Sequence, residues 1–328
     1  MDADQARLIA LNVGHGNCTV LVDRSGVFLF DAGPSDQVMT FLERHLEDHG
    51  DQVRVRALFL SHCHFDHNAR ARVMSLVAQF NIEYVGMPAF HNKSRKFRAM
   101  MRDLSRWKKA GFQLNTVLHC DSKIPQPKET LIEVLGPGAR TAGQTSQLND
   151  HDRCAVFRIS TRKPRQPIAL IGGDISARGW SEIPPAERQR EVPLLIYPHH
   201  GGRQGTDDTR QTAAQYSADL RPKHVFFSIG SGKKEFPHWE TIAGLRSQDP
   251  QIQIHCSGIN RHCCPEIDTR LRSCCYPQEG NFEFYFPGSA MTEGEFRKHF
   301  SEHRDEVDKL KNTAMCRGNE PPPAKSRK

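Results

Sequence analysis

The stretch LFLSHCHFDHN, Leu58 to Asn68, packs three histidines and an aspartate into the six residues His62-Cys63-His64-Phe65-Asp66-His67. The apolar run before it, VRALFL, ends abruptly, which predicts a short buried strand with the cluster at its C-terminal end. An α/β sandwich gathers its ligands beyond such strand ends. Metal ions need donors that lack or can lose a proton, and imidazole with carboxylate is the usual set for zinc and related ions. In an extended His62-x-His64 both rings project to one side, while Cys63 turns away into packing. Asp66 and His67 fall on the next turn, within reach of a second ion. The alternative is a solvated His-rich turn, but ionisable groups this close are costly once partly buried and unpartnered.

The surrounding sequence reads as strands and helices in alternation. ARLIALNVGHGNCTVLVDRSGVFLFDAGPS holds three short apolar runs broken by Gly-rich turns, which predicts successive antiparallel strands. Val38, Phe41, Leu42 and Leu46 have helical spacing, with Gly50 as a stop. NARARVMSLVAQF predicts a helix after the cluster. ETLIEVLGPG, CAVFRIS, PIALIGGD, VPLLIYPHHGG and HVFFSIG predict further strands. Residues 93–110 form an amphipathic helix, with Phe97, Met100, Met101, Leu104 and Trp107 on one face and Arg95, Arg98, Arg102, Arg106 and Lys109 on another. That basic stripe can track a phosphate backbone or simply be a solvated face. A late helix begins near Thr292, and the last residues read as a disordered basic tail.

Five segments in order resemble the motifs of the metallo-β-lactamase fold superfamily. LFDAGPS is similar to the first motif, HCHFDH to the H-x-H-x-D-H signature, LIGGD to the fourth and PHHGG to the last histidine motif. NDHDRCAVFRI offers His151, 23 residues before Asp174, as the third. The resemblance spans about residues 8–240 and implies a four-layered αββα sandwich of the α/β class. It implies two divalent ions, Zn²⁺ or Mn²⁺, held by His62, His64, Asp66, His67, His151, Asp174 and His200, with Asp174 bridging and Asp31 in support. Of the doublet, His200 is the expected ligand and His199 its support. His238 is a rival ligand or an acid on the substrate side, and Asp66 orients the reacting centre. LNVGHGNCTVLVD, PHHGG and SIGSGKKEFPHW resemble the branch that holds the lactamase-like domain of competence DNA-uptake proteins and phosphorylcholine esterases. His15 and Asn17 stand where that branch has Gln and Asp, and Gly202 where it has Ser. Gly14 and Gly16 around His15 allow a close approach of backbone to the site.

Composition narrows the partners. The 328 residues carry net charge +7, which favours an anionic partner such as nucleic acid or another phosphodiester. No apolar run approaches the ~20 residues of a membrane helix, and the acidic N-terminus lacks a signal-peptide pattern, so a cytoplasmic protein is expected. Ten cysteines without a secretion signal suggest reduced thiols or metal ligands. Cys256, His262, Cys263, Cys264, Cys274 and Cys275 offer enough donors for a structural Zn²⁺, or else a buried pair of thiols. Residues 1–290 are expected to form the hydrolase domain, with the basic helical insertion at about 90–120, and residues 291–328 the C-terminal helix and tail.

Two such ions ~3.5–4 Å apart activate a bridging hydroxide for in-line displacement. The expected activity is therefore a dinuclear phosphodiesterase or nuclease. One alternative is a hydrolase of a small ester, lactone, thioester or choline phosphodiester. Another is a non-catalytic nucleic-acid-binding partner in a bacterial defence or uptake complex, although a structural site needs four ligands rather than six or more.

Overall fold

A computed structural model describes residues 6–49, 54–90, 94–108, 111–143, 149–203, 207–230, 236–257 and 282–285. Its central strands are buried on both faces, and this explains why their sequence runs apolar without alternation. In β3 (Gly26–Phe30), Val27 and Leu29 face an outer helical layer while Phe28 and Phe30 face a second sheet. β1 (Arg7–Ala10) and β2 (Thr19–Asp23) precede it in antiparallel order, as the three apolar runs predict. α1 (Gln37–His49) then leads to β4 (Val55–Phe59), which lies parallel to β3. α2 (Arg70–Gln79), β5 (Tyr84–Gly86), α3 (Arg95–Trp107) and β6 (Gln113–Asn115) follow. With β13 (Phe282–Tyr285) at the far edge, the first sheet has the order β13-β1-β2-β3-β4-β5-β6.

The second sheet begins with antiparallel β7 (Thr130–Gly136), β8 (Val156–Thr161) and β9 (Pro167–Ile171), with the short α4 (Ala139–Gly143) between the first two. After α5 (Ala177–Glu182) and α6 (Pro185–Arg188) it turns parallel through β10 (Leu194–Ile196), β11 (His224–Phe227) and β12 (Gln253–Cys256). α7 (Thr209–Leu220) and α8 (Trp239–Gln248) cover its outer face. Between the sheets Phe30, Phe59 and Phe157 pack with centroids 5.0–5.4 Å apart. The result is a four-layered αββα sandwich of the metallo-β-lactamase type. Among the described residues no helix is long and apolar enough to cross a membrane.

One helix differs from its predicted facing. Phe97, Met100 and Leu104 of α3 are buried, but Trp107 is 40% exposed. It is the last residue of the helix. Lys109, His262, Cys263, Cys264, Cys274, Cys275 and the helix expected near Thr292 lie outside the described residues. Cys256 ends β12 and is exposed.

Candidate metal centre

The parallel strands deliver the site at their C-terminal ends. Past β3, Asp31 sits at φ 61°, in the left-handed region that Asp tolerates better than most residues. Its buried carboxylate accepts hydrogen bonds from the Ser61 amide at 2.7 Å, Ser61 Oγ at 2.6 Å, Asn68 Nδ2 at 2.9 Å and His67 Nδ1 at 2.8 Å. Four donors saturate it, so Asp31 orients the loop after β4 from behind. The main chain reinforces this, as the Ala32 and Gly33 amides both donate to the His67 carbonyl, at 3.0 and 2.7 Å. Ser61 Oγ is spent on Asp31, so it accepts from His62 Nδ1 at 3.0 Å. His62 and His67 thus each commit Nδ1 to the scaffold and turn Nε2 into the site.

Two ligand groups result, and they share one carboxylate. His62, His64, His151 and Asp174 bring their donor atoms within 4.8 Å of one another. His67, Asp174 and His200 do the same, and so do His15, Asp66 and His200. Asp174 directs Oδ2 to His62 Nε2 at 3.4 Å and Oδ1 to His67 Nε2 at 3.0 Å. His151 Nε2 lies 3.1 Å from His64 Nδ1, and His200 Nε2 lies 3.8 Å from Asp66 Oδ2.

These atoms fit cations rather than each other. His62 Nε2 is buried without a hydrogen-bond partner, a situation that costs about 1–3 kcal/mol for a polar group left unsatisfied. The charge balance agrees. Burial pushes the His62 pKa down, with His67 adding to the effect. Burial likewise pushes the His151 pKa down to about 4. Both rings are therefore neutral near pH 7, as a ligand must be. Burial opposes ionisation of Asp174, but the charge of His67 first, with the hydrogen bond from His199, outweighs it and holds the carboxyl well below its usual range. Burial also opposes a charged His67, and the carboxylates of Asp174 and Asp31 reverse this to raise it well above its usual value. A proton there answers the demand for positive charge that an ion would meet.

The centre is closed on the side of His62, His67, Asp174 and His200, all buried, and opens past the half-buried His64, Asp66, His151 and His199. The doublet divides its work. His199 Nδ1 bonds Asp174 Oδ2 at 3.0 Å from the open side. His200 gives Nδ1 to the Ser228 carbonyl at 2.7 Å and turns Nε2 inward. Both residues have left-handed φ, 52° and 55°. Such strain costs of order 1–3 kcal/mol per residue and persists where the surroundings over-determine it. His238 belongs to neither ligand group. It precedes α8, with Nδ1 3.1 Å from Glu240 Oε2. His15 stands against His200 at a ring separation of 4.4 Å and against Phe236 at 5.0 Å. Gly202 makes room for that ring, since a Cβ there would lie 2.0 Å from Phe236 Cε1. The His15 and Gly202 departures from the uptake-domain pattern therefore meet at one place, around Phe236.

Cys63 is buried with Sγ 3.1 Å from Asp150 Oδ2, and those two also group with His64. Arg95, Arg98, Arg102 and Arg106 are exposed along α3. The N-terminal turn of α3 reaches the metal loop, where Lys96 Nζ stands 5.2 Å over the Phe65 ring.

The sandwich gathers imidazole–carboxylate groups beyond its strand ends, a donor set that suits divalent metal ions. The model of the metallo-β-lactamase superfamily matches residues 11–103, from just past β1 into α3. No curated protein matches the sequence. Among solved structures it is similar to the metallo-β-lactamase fold protein YhfI from Bacillus subtilis, at 11% identity and TM-score 0.45, over 76% of this chain and 96% of that one. It is also similar to a metallo hydrolase from the archaeon Ignicoccus hospitalis, at 14% identity and TM-score 0.44, over 86% and 99% of the two chains. A third similar structure is a metal-dependent hydrolase of the β-lactamase superfamily, at 12% identity and TM-score 0.46, over 85% and 99%.

Proposed function

We propose that the protein is a dinuclear phosphodiesterase acting on nucleic acid. His62, His64, His151 and Asp174 would hold one ion, and His67, Asp174 and His200, with Asp66 beside His200, would hold the other. When bound, the pair supplies an activated water and offsets charge on the phosphoryl group. The protein's own residues do the remaining work. Asp31 and Ser61 fix the faces of His67 and His62, His199 holds Asp174, and the buried side of the cage excludes bulk water. Substrate enters past His64, Asp66, His151 and His199.

The observation that supports a polyanionic substrate is the placement of α3. Its exposed arginines start beside the metal loop, and the helix carries one acid, Asp103, which is itself paired to Arg70. The test is incubation of purified protein with DNA, RNA and bis-p-nitrophenyl phosphate, with Zn²⁺ or Mn²⁺ and with a His62→Ala control. Metal-dependent cleavage of a nucleic acid that weakens with salt is expected. Turnover confined to small esters, or identical behaviour of His62→Ala, overturns the assignment.

A further inference from the structure

Among the described residues three large apolar side chains are exposed: Phe65 at 60%, Trp107 at 40% and Val117 at 49%. Two of the three belong to one strip. Phe65 lies in the metal loop between His64 and Asp66, under Lys96 Nζ. Trp107 lies on the same helix as Lys96, eleven residues on. Eleven residues are close to three turns at 3.6 residues each, so Lys96 and Trp107 share a side of α3, about 16 Å apart along its axis. Asp103 sits between them on that side and is neutralised by Arg70 of α2. Arg95, Arg102 and Arg106 fall on the adjoining side, all exposed. The strip thus has an exposed ring at each end and cations along its length.

Resting on the nucleic-acid reading above, we infer that this strip binds single-stranded nucleic acid, with unpaired bases stacking on Phe65 and Trp107 and the backbone following the α3 cations into the metal centre. A ring standing in solvent can receive the face of an unpaired base, whereas a duplex hides those faces in its own stack. Lysine and arginine beside the rings neutralise phosphates without reading sequence. A base on Phe65 sets its backbone beside His64 and Asp66, the residues that flank that ring. The arrangement selects strand state rather than base identity, since every base has a face to stack.

The test measures binding apart from cleavage, in chelator, on the full chain. Oligothymidylate is titrated while tryptophan emission is recorded, and fluorescence anisotropy of a labelled strand gives affinity. Stacking on Trp107 quenches emission. Phe65→Ala and Trp107→Ala each weaken binding about five- to 150-fold, Trp107→Phe restores most of the affinity without the quench, and a duplex of equal length binds more weakly. Both side chains are exposed, so unchanged thermal melts exclude misfolding. Equal affinity for strand and duplex with both alanine variants binding like the parent overturns the inference, as does equal binding to anionic vesicles. Cleavage that survives with unaffected variants sinks the inference and spares the activity. Ring-dependent binding without cleavage of any substrate does the reverse.

Discussion

His67 Nε2 and His200 Nε2 face each other at 3.1 Å, and neither has a proton to share in its neutral form. His67 has given Nδ1–H to Asp31, and His200 has given Nδ1–H to the Ser228 carbonyl. Once an ion displaces the proton that His67 otherwise carries, two lone pairs point at one spot, together with Asp174 Oδ1 at 3.0 Å from His67. Opposed lone pairs repel, and a cation between them turns the repulsion into ligation. The arrangement is held from outside by hydrogen bonds that fix tautomer and ring orientation.

Asp31→Asn tests that outer hold. Asn tolerates the left-handed backbone at this position, so the main chain survives the exchange. Its amide NH₂ meets the donors that the carboxylate now accepts, and the neutral group no longer favours His67 Nδ1–H. Zinc affinity, measured by competition with a chromophoric chelator, is expected to fall about 10–100-fold. An affinity equal to the parent's would show that Asp31 does not set the His67 ring.

Gly16→Ala tests the seating of the second ligand group. A Cβ on Gly16 would lie 1.9 Å from the Asp66 carbonyl oxygen and 2.6 Å from Pro34 Cδ. The Gly16 carbonyl is itself tied to Ser228 Oγ, so it cannot retreat freely. The loop carrying Asp66 and His67 has to move, while His62, His64 and His151 stay on their own supports. Metal content after dialysis is expected to drop from about two ions to about one, since a dinuclear site of this kind holds two. Retention of both ions would mean that the loop yields without losing its grip.

Much of this candidate centre was legible in the sequence because its candidate ligands come in short runs. His62, His64, Asp66 and His67 are neighbours in the chain, and Asp31, Asp174 and His200 each follow an apolar run that predicts a strand. Strand ends of a sandwich converge, so order along the chain stands in for proximity. The division of labour in the doublet was not legible, because it depends on two consecutive left-handed residues that turn one ring inward and one toward the opening. His15, between Gly14 and Gly16, was legible only as a residue that lines the site or simply makes a turn. Its place against His200 arises from the approach of the β1–β2 connection to the loop after β10, a contact that local pattern does not encode. Trp107 fits the apolar face of α3 by spacing, yet as the last residue of the helix it is 40% exposed.

The last prediction concerns stability away from the metals. Arg158 of β8 is wholly buried and bonds Glu133 through Nε at 3.0 Å and Nη2 at 2.9 Å, and Glu187 Oε2 at 2.6 Å. Burial alone would raise the Glu133 pKa, but Arg158 first and Arg165 next bring it below its ordinary 4.5. A carboxyl lowered on folding contributes stability that is fully present above its unfolded value and is lost as pH falls through the folded one. Arg158→Met keeps apolar volume but leaves Glu133 with the exposed Arg165 and the Ser160 hydroxyl at 3.1 Å, and removing one partner of a buried pair costs up to about 3–5 kcal/mol. The variant should unfold at lower denaturant concentration near pH 7, and the gap to the parent should narrow as pH drops below about 4, where protonation of the carboxyl removes the stranded charge. Urea melts at several pH values in constant metal measure both. A gap that stays constant with pH would assign the loss to packing alone and not to the ion pair.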